Sequence, residues 1–533
     1  MSKSLVRIAL LAVPLALSAC GGSSTQTSTM TTSTARGTLV ADPPLRIAAL
    51  DATTLQADLS ANASGAQLLQ LTGAPACGVD FYYLKFWTVG GANEPTESSG
   101  ALMVPTGSSP ACSGPRPIVL YAHGTQTDKT ANIADITNPS NSEGALIAAM
   151  FAAQGYIVVA PNYAGYDSST LGYHPYVNAA QNSAEMIDAL AAARKALPNT
   201  LATATSDNGK LFVTGYSEGG YVAMAAQREM IAEGIKVTAA APMSGPYALE
   251  AFGDAIFFGD VNLGSTVFTP LITTSYQKAY GNIYQATTDV YSASYASGIE
   301  TLLPSTTPVS TLFASGMLPE TALFDSTTPI VTIPNNPTLS AELTAALAVP
   351  SNPNDPRTPL FAAGFGNPYL VNNAYRVSYA LDAAADPDGA VPTPMAGVPL
   401  AAAAPTQTLR KALYLNDLRN GGWMPNSPTL MCGGDQDPTV FFSVNTGTMQ
   451  AFWAATPAAP LISVLDVNAT PAGPFAAIQT GFQTAEAAQL AFYESAAGGG
   501  NSPAAAQQLL VEGYHAAVAP FCALAARSFF GQF

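Results

Sequence analysis

A serine between two glycines is the first feature of this 533-residue chain that could do chemistry. Ser217 stands in the stretch VTGYSEGGYV, with Gly215 two positions before it and Gly219 two positions after it. This G-x-S-x-G spacing suits a sharp turn from a strand into a helix, where side chains at the glycines would collide and the hydroxyl projects outward. Tyr216 and Glu218 complete the predicted turn. The spacing is a hypothesis that the rest of the chain must support.

A neutral serine hydroxyl is a weak nucleophile and needs partners. An imidazole must take its proton, a carboxylate must orient that imidazole, and N–H groups must stabilise the developing oxyanion. If the carboxylate precedes the imidazole in the chain, only His515 of the three histidines qualifies. The carboxylate candidates are Asp437 and Asp435, both in the stretch CGGDQDPTV.

The elements that must position these residues follow from the hydrophobic pattern. Short apolar runs bounded by turn residues predict buried strands, and apolar residues at helical spacing predict helices between them. The predicted strands are a pair within 81–104 and runs at 117–125, 156–161, 211–214, 237–243, 413–415, 428–432 and 461–465. The predicted helices are 145–154, 178–197 and 223–231, with His515 between the last strand and a C-terminal helix. This alternation predicts a parallel sheet with helices on both faces, and Ser217 falls between a strand and a helix.

The segment 252–404 has a different pattern. Its first part carries regularly spaced tyrosines, residues 327–360 are rich in proline, and 377–385 is compatible with a helix. We interpret the tyrosines as packing residues rather than as a substrate platform; they are Tyr276, Tyr280, Tyr284, Tyr291 and Tyr295. The segment is expected to form a mainly helical cap between the serine and the acid.

In order, His-Gly after one strand, G-x-S-x-G after a later one, the acidic loop and a late histidine resemble the α/β-hydrolase superfamily. The resemblance covers most of 80–250 and 405–533. The acidic stretch is similar to the superfamily's G-x-x-D-x-x-V loop, which implies that Asp437 is the acid and Asp435 a turn residue. It also implies an oxyanion hole from the amides of Glu218 and Thr125, with Gly124 as the alternative to Thr125.

Within that superfamily the stretches NYAGY at 162–166 and PMSGPY at 242–247, together with the long insertion, look most like bacterial exported esterases related to secretory lipases of the lipase A type. The resemblance implies the α/β-hydrolase fold and hydrolysis of carboxylic esters by Ser217, Asp437 and His515 through an acyl-enzyme, with no metal or organic cofactor. The alternatives are a peptidase of the aminopeptidase or prolyl type on the same fold, and a non-catalytic surface binding module. His123 is expected to organise its loop, whereas His174 either lines the site or fills space.

The N-terminus predicts export. A basic start and a short apolar run end at Leu17-Ser18-Ala19-Cys20, which resembles the lipobox of bacterial lipoproteins. The resemblance implies a signal peptide over 1–19, acylation of Cys20 and an envelope location, either on the outer membrane or secreted. The predicted organisation is a tether over 20–45, core segments at 46–251 and 405–533, and the cap at 252–404.

Charge and cysteine content narrow the remaining possibilities. The formal net charge is −16 and basic clusters are absent from the sequence, so a nucleic-acid partner is not expected. Apart from the predicted lipid anchor, no membrane contact is expected, and the partner is an ester substrate. Four cysteines besides Cys20 favour two disulfides, Cys77–Cys112 and Cys432–Cys522, because each pair lies in one segment of the predicted architecture. The spacing of these cysteines gives no zinc motif.

Overall fold

The computed structural model describes residues 35–138, 141–199, 204–354, 357–390 and 404–533. The predicted signal peptide, residues 1–19, and the predicted lipidation site Cys20 lie outside these ranges. The predicted cap extends over 391–403, which also lie outside them.

Strands in the described ranges form a nine-stranded sheet and a separate two-stranded ribbon. The strands are β1 (Leu45–Leu50), β2 (Gly78–Val89), β3 (Pro95–Thr106), β4 (Gly114–Ala122), β5 (Ile157–Pro161), β6 (Thr205–Tyr216), β7 (Ala239–Met243), β8 (Phe324–Asp325), β9 (Phe365–Gly366), β10 (Thr429–Gly433) and β11 (Ile462–Asp466). The large sheet has the order β1-β2-β3-β5-β4-β6-β7-β10-β11. In this spatial order, every neighbouring pair from β5 through to β11 is parallel. Strands β1, β2 and β3 form an antiparallel extension at the β5 side. Strands β5 and β7 are buried along their whole length, as parallel strands covered on both faces must be.

Helices cover both faces of the sheet. They are α1 (Ala52–Ser60), α2 (Ala63–Thr72), α3 (Ser142–Met150), α4 (Ala179–Asn199), α5 (Glu218–Ala232), α6 (Leu249–Phe258), α7 (Ser265–Tyr280), α8 (Val309–Ala314), α9 (Pro337–Ala346), α10 (Thr358–Ala363), α11 (Asn373–Ala385), α12 (Thr408–Asn416), α13 (Thr448–Ala454), α14 (Ala476–Glu494) and α15 (Pro503–Phe530). One large apolar cluster lies on each face, the first including α4 and α5 and the second α3 and α15. This is the fold class expected from the sequence.

The sheet brings the ends of four parallel strands to one edge. Ala122 at the end of β4 is paired with Gly215 in β6, and Tyr216 at the end of β6 is paired with Met243 at the end of β7. Met243 is in turn aligned with Cys432 of β10. The loops that follow these strands therefore meet at one place, where open parallel sheets carry their sites.

In the described part of the segment between β7 and β10, helices are the main regular structure. This part contains α6 to α12 and the short ribbon of β8 and β9, and the predicted proline-rich loop at 327–360 includes helix α9 and the start of α10. Tyr276, Tyr284, Tyr291 and Tyr295 are buried, which agrees with a packing role, whereas Tyr280 is partly exposed. The boundaries predicted for the cap at 252 and 404 stay a prediction.

The predicted strand at 413–415 is wrong, because this stretch belongs to helix α12. The buried residues of α12 include Leu409, Ala412, Leu413 and Asn416, which share one helical face. A run of three apolar residues is too short to distinguish a helix from a strand by its periodicity.

The predicted location of His515 before a C-terminal helix is also wrong. His515 lies inside α15, which runs from Pro503 to Phe530 and packs against α14 and the sheet. Among the described residues, α15 is the helix whose length and apolar composition would allow it to cross a membrane.

Both predicted disulfides are present. Cys77 is bonded to Cys112, near the antiparallel edge of the sheet, and Cys432 is bonded to Cys522. The second bond joins the end of β10 to α15, seven residues beyond His515. Disulfides are typical of proteins that fold outside the reducing cytosol, so the chain is an exported protein.

Candidate active site

Ser217 occupies the turn between β6 and α5. Its backbone is at φ 60° and ψ −123°, and its amide donates to the Met243 carbonyl oxygen at 3.0 Å. A Cβ atom on Gly219 would lie 1.9 Å from the Ala122 carbonyl oxygen, and one on Gly215 would lie 2.3 Å from the Gly219 carbonyl oxygen. Larger residues at either position would push the turn apart. The glycines of the motif therefore have the steric role expected from the sequence.

Asp437 and His515 are in direct contact. His515 Nδ1 lies 2.6 Å from Asp437 Oδ2, and Asp437 is almost fully buried. The other oxygen of Asp437 accepts the amides of Thr439 and Val440 at 2.9 and 3.0 Å. Asp435, by contrast, is exposed. The structure therefore brings Asp437, and not Asp435, to the histidine.

Ser217 and His515 line the same large groove. His515 Nε2 is buried and makes no hydrogen bond within the described part of the chain, so its lone pair is free to accept a proton. Tyr216 fixes the helix that carries His515, because its hydroxyl donates to the His515 carbonyl oxygen and the two rings are 5.0 Å apart. The hydrogen bond that Ser217 would make to His515 Nε2 is not formed in this structure, and catalytic hydrogen bonds commonly tighten only when substrate binds.

Two backbone amides near Ser217 could donate a hydrogen bond to an oxyanion, and one of them, that of Thr125, lies in the loop after β4. Neither the Thr125 amide nor the Glu218 amide at the start of α5 has an acceptor among the described residues. The Gly124 amide is engaged, because it donates to the two carboxylate oxygens of Glu143 at 3.1 and 3.2 Å. Gly124 is therefore unsuitable as an oxyanion donor, and Thr125 is the remaining residue of the predicted pair.

Side chains hold this loop from several directions. Three tyrosine hydroxyls bond it, at distances of 2.6 to 2.8 Å: Tyr163 to the His123 carbonyl oxygen, Tyr166 to the Gln126 carbonyl oxygen, and Tyr176 with Thr125 Oγ1. Burial, followed by the nearby charge of Glu218, raises the pKa of these tyrosines well above its ordinary value, so they remain neutral donors. The loop is thus fixed before any substrate arrives, as an effective oxyanion hole requires.

His123 also acts on this loop, as expected from the sequence. Its Nδ1 lies 2.6 Å from the Gly124 carbonyl oxygen and its Nε2 3.0 Å from the Asn162 carbonyl oxygen. A trans peptide unit points its C=O and N–H in opposite directions, so holding the Gly124 carbonyl also orients the Thr125 amide.

The Glu218 side chain pairs with His174. Glu218 Oε1 lies 2.7 Å from His174 Nε2, and His174 Nδ1 lies 3.0 Å from the Ala164 carbonyl oxygen. A carbonyl oxygen only accepts, so Nδ1 carries a proton and the contact with Glu218 shares one further proton. Sequence reasoning missed this pair, since 44 positions separate the two residues and no local motif joins them.

Two spaces meet at Ser217. A small cavity is lined mainly by aliphatic and aromatic side chains of α6, α7 and α12, together with Ser217 and Val440. The large groove passes between α1, α2, α14 and α15 and includes His515 and Thr125. Ser217, Phe268 and Thr439 line both spaces, so the serine lies at their junction.

Comparisons with known proteins agree with this architecture. The sequence model of the prolyl oligopeptidase family matches residues 144–235, which include Ser217. The ligand-bound structure of the rice cell wall degrading esterase LipA from Xanthomonas oryzae has 24% identity and a TM-score of 0.59, covering 81% of this chain and 91% of that one. A mutant form of the same esterase has 25% identity, the same TM-score and the same coverage.

A second solved structure extends the similarity over more of the chain. A protein of Legionella pneumophila described as a hydrolase covers 92% of this chain and 96% of its own, with 16% identity and a TM-score of 0.54. No curated protein is significantly similar in sequence. The strand order, the turn at Ser217 and these neighbours together identify the chain as a hydrolase with the α/β-hydrolase fold that resembles the LipA esterase.

Proposed function

We propose that the chain is an exported serine hydrolase of carboxylic esters. The observation that carries this proposal is the contact between Asp437 Oδ2 and His515 Nδ1 at 2.6 Å, on the edge of the sheet where Ser217 lies at the turn after β6. The resemblance to the LipA esterase supports the ester as the substrate class.

In this mechanism the Asp437 carboxylate accepts a hydrogen bond from His515 Nδ1–H and so fixes the tautomer in which Nε2 is a base. His515 takes the proton of Ser217 as its oxygen attacks the ester carbon, and the amides of Glu218 and Thr125 stabilise the oxyanion. The bond from the acyl carbon to the alcohol oxygen then breaks, and His515 gives that oxygen the proton. Water attacks the acyl-enzyme by the same route and releases the acid.

A peptidase is the second candidate, because the matched family model is that of the prolyl oligopeptidases. Peptidases that bind a free amino terminus need acidic side chains above the nucleophile. Glu218 does not serve that purpose, since its side chain is fully buried and paired with His174. Among the described residues, three acids line the groove, and one of them, Glu143, already accepts the Gly124 amide. The other two, Asp58 and Glu486, lie on α1 and α14 rather than in the loops that follow the strands. These contacts favour the ester hydrolase.

Assays of ester and amide substrates test the two candidates. Wild type, Ser217→Ala and the matched control Ser183→Ala are compared on p-nitrophenyl butyrate and on aminoacyl p-nitroanilides. Ser183 is a buried serine of α4 that bonds the Ala179 carbonyl oxygen and lines neither space. We expect ester hydrolysis to fall at least about 10⁴-fold in Ser217→Ala only. Hydrolysis of the anilides alone would support the peptidase, and full activity in Ser217→Ala would refute the mechanism.

The anchor at Cys20 forms a separate part of the proposal. The sequence Leu17-Ser18-Ala19-Cys20 supports acylation, and the two disulfides support an exported protein. We expect mass spectrometry of the mature N-terminus to find a lipid-modified Cys20 and the Cys20→Ala variant to leave the membrane fraction. An unmodified N-terminus elsewhere in the chain would exclude the anchor.

A further inference from the structure

The two spaces at Ser217 are unequal in size and chemistry. The small cavity has a volume of about 80 Å³, whereas the large groove has about 2010 Å³. An ester places its acyl part on one side of the reacting carbon and its alcohol part on the other. The question is which part enters which space.

The position of His515 answers this question. His515 lines the large groove but not the small cavity. Because the general acid must deliver its proton to the oxygen of the leaving alcohol, that oxygen lies on the side of His515. The alcohol part therefore extends into the groove, and the acyl part points into the small cavity.

The small cavity limits the length of the acyl part. An engineered apolar cavity of about 150 Å³ holds benzene, so a cavity of about half that volume holds roughly three carbon atoms beyond the carbonyl. Leu413 from α12 and Ile272 from α7 are among the residues that bound this space. Protein interiors are packed tightly, so a longer chain must displace such side chains.

The large groove has a different lining. Among the described residues that line it there is no lysine or arginine, and its charged residues are the acids Asp58, Glu143 and Glu486. The lining also includes neutral amide side chains such as Gln67, Gln70 and Gln489 and aromatic ones such as Phe482 and Tyr493. Amide groups donate and accept hydrogen bonds, as a hydroxyl-bearing molecule requires, and aromatic faces cover its apolar surface. An anionic alcohol part would find no cation there.

We propose that this chain hydrolyses esters of short acyl groups, up to about four carbons, with bulky, hydroxyl-bearing alcohols that carry no negative charge. The proposal rests on the function proposed above and adds the substrate class. In the first half-reaction Ser217 Oγ forms a bond to the short acyl carbon in the small cavity. The carbon–oxygen bond to the alcohol breaks, and the proton from Ser217 passes through His515 to the alcohol oxygen in the groove. Water then releases the short acid.

The first experiment measures kcat/KM for p-nitrophenyl esters from acetate to dodecanoate. Wild type should have its highest kcat/KM on esters with two to four acyl carbons, from acetate to butyrate. Its kcat/KM should be lower by roughly tenfold or more on octanoate, as expected when a chain exceeds its apolar pocket. Leu413→Ala removes about three carbon atoms and should move the preferred length upward by about two or three carbons. Ile272→Phe should reduce butyrate hydrolysis more than acetate hydrolysis. Leu312→Ala is the control, because Leu312 is a buried leucine of the same region that does not line the cavity.

The second experiment varies only the alcohol. Ethyl butyrate is compared with butyryl glucose, and the sugar ester should have a KM at least several-fold lower. Equal or better use of ethyl butyrate would overturn the assignment of the groove. Octanoate cleaved as well as butyrate, or an unchanged length profile in Leu413→Ala and Ile272→Phe, would overturn the assignment of the cavity. Failure of the underlying function is distinct, since wild type would then cleave no ester of any length.

Discussion

His174 Nε2 lies 2.7 Å from Glu218 Oε1, and neither side chain is exposed to solvent. The pair joins the residue after Ser217 to the segment that contains Tyr176, whose hydroxyl bonds Thr125 Oγ1. Glu218 therefore has two separate parts near the reaction. Its amide, which has no acceptor among the described residues, is the proposed oxyanion donor, and its carboxyl group holds the neighbouring loop.

Substitutions of Glu218 distinguish this positioning role from a direct chemical role. Glu218→Gln should retain most of kcat/KM, because the amide N–H can still donate to His174 Nε2. Glu218→Leu leaves that nitrogen buried without a partner, which should lower the free energy of unfolding by about 1–3 kcal/mol and reduce kcat. Thermal unfolding and steady-state kinetics on p-nitrophenyl butyrate measure both effects. A large loss of activity in Glu218→Gln without a loss of stability would instead assign the carboxylate to the reaction.

Asp437→Asn should lower kcat by roughly 10⁴-fold, because the amide favours the wrong tautomer of His515. The fold should be retained, since an asparagine oxygen can still accept the amides of Thr439 and Val440. Asp435→Asn is the matched control in the same loop and should behave like wild type. Steady-state kinetics and circular dichroism test this prediction, and comparable losses in the two variants would contradict it.

The disulfide between Cys432 and Cys522 should contribute more to both stability and activity than the one between Cys77 and Cys112. It closes 90 residues against 35, which corresponds to about 4.6 and about 3.8 kcal/mol in the chain-entropy estimate. It also links β10, which precedes the loop with Asp437, to the helix that carries His515. Each pair is replaced by alanines, and unfolding and kcat/KM are measured. A greater loss of activity in the Cys77/Cys112 variant would refute this prediction.

Glu143 should make the stability of the protein depend on pH. Burial raises the pKa of Glu143 above its ordinary value of 4.5. At a pH between 4.5 and the raised pKa of the folded state, Glu143 has lost its proton in the unfolded chain but still holds it in the folded chain. The free energy of unfolding therefore falls as pH rises through this interval. Glu143→Gln has no such proton, and the difference in stability between wild type and the variant should shrink or change sign over this interval. Denaturant unfolding from pH 4 to 8 measures it, and a difference independent of pH would argue against a raised pKa.

Much of the site could be predicted because its signals are local or ordered along the chain. The turn at Ser217 depends on Gly215 and Gly219, because a Cβ atom at either position would lie less than 2.5 Å from a backbone carbonyl oxygen. The pairing of the cysteines followed from the predicted segments and was confirmed. The prediction that His515 precedes the C-terminal helix is wrong, because α15 begins at Pro503 and already includes His515.

By itself, the amino-acid sequence determined the alternation of strands and helices, the strained turn at Ser217 and the candidate order of serine, acid and histidine. These features follow from hydrophobic periodicity and from glycine stereochemistry, which act over a few residues. Only the tertiary structure decided that the Gly124 amide donates to the Glu143 carboxylate and that Glu218 is paired with His174. It also decided that two unequal spaces meet at Ser217. Those relationships depend on the packing of segments far apart in the chain, and no local pattern specifies which side chains will meet.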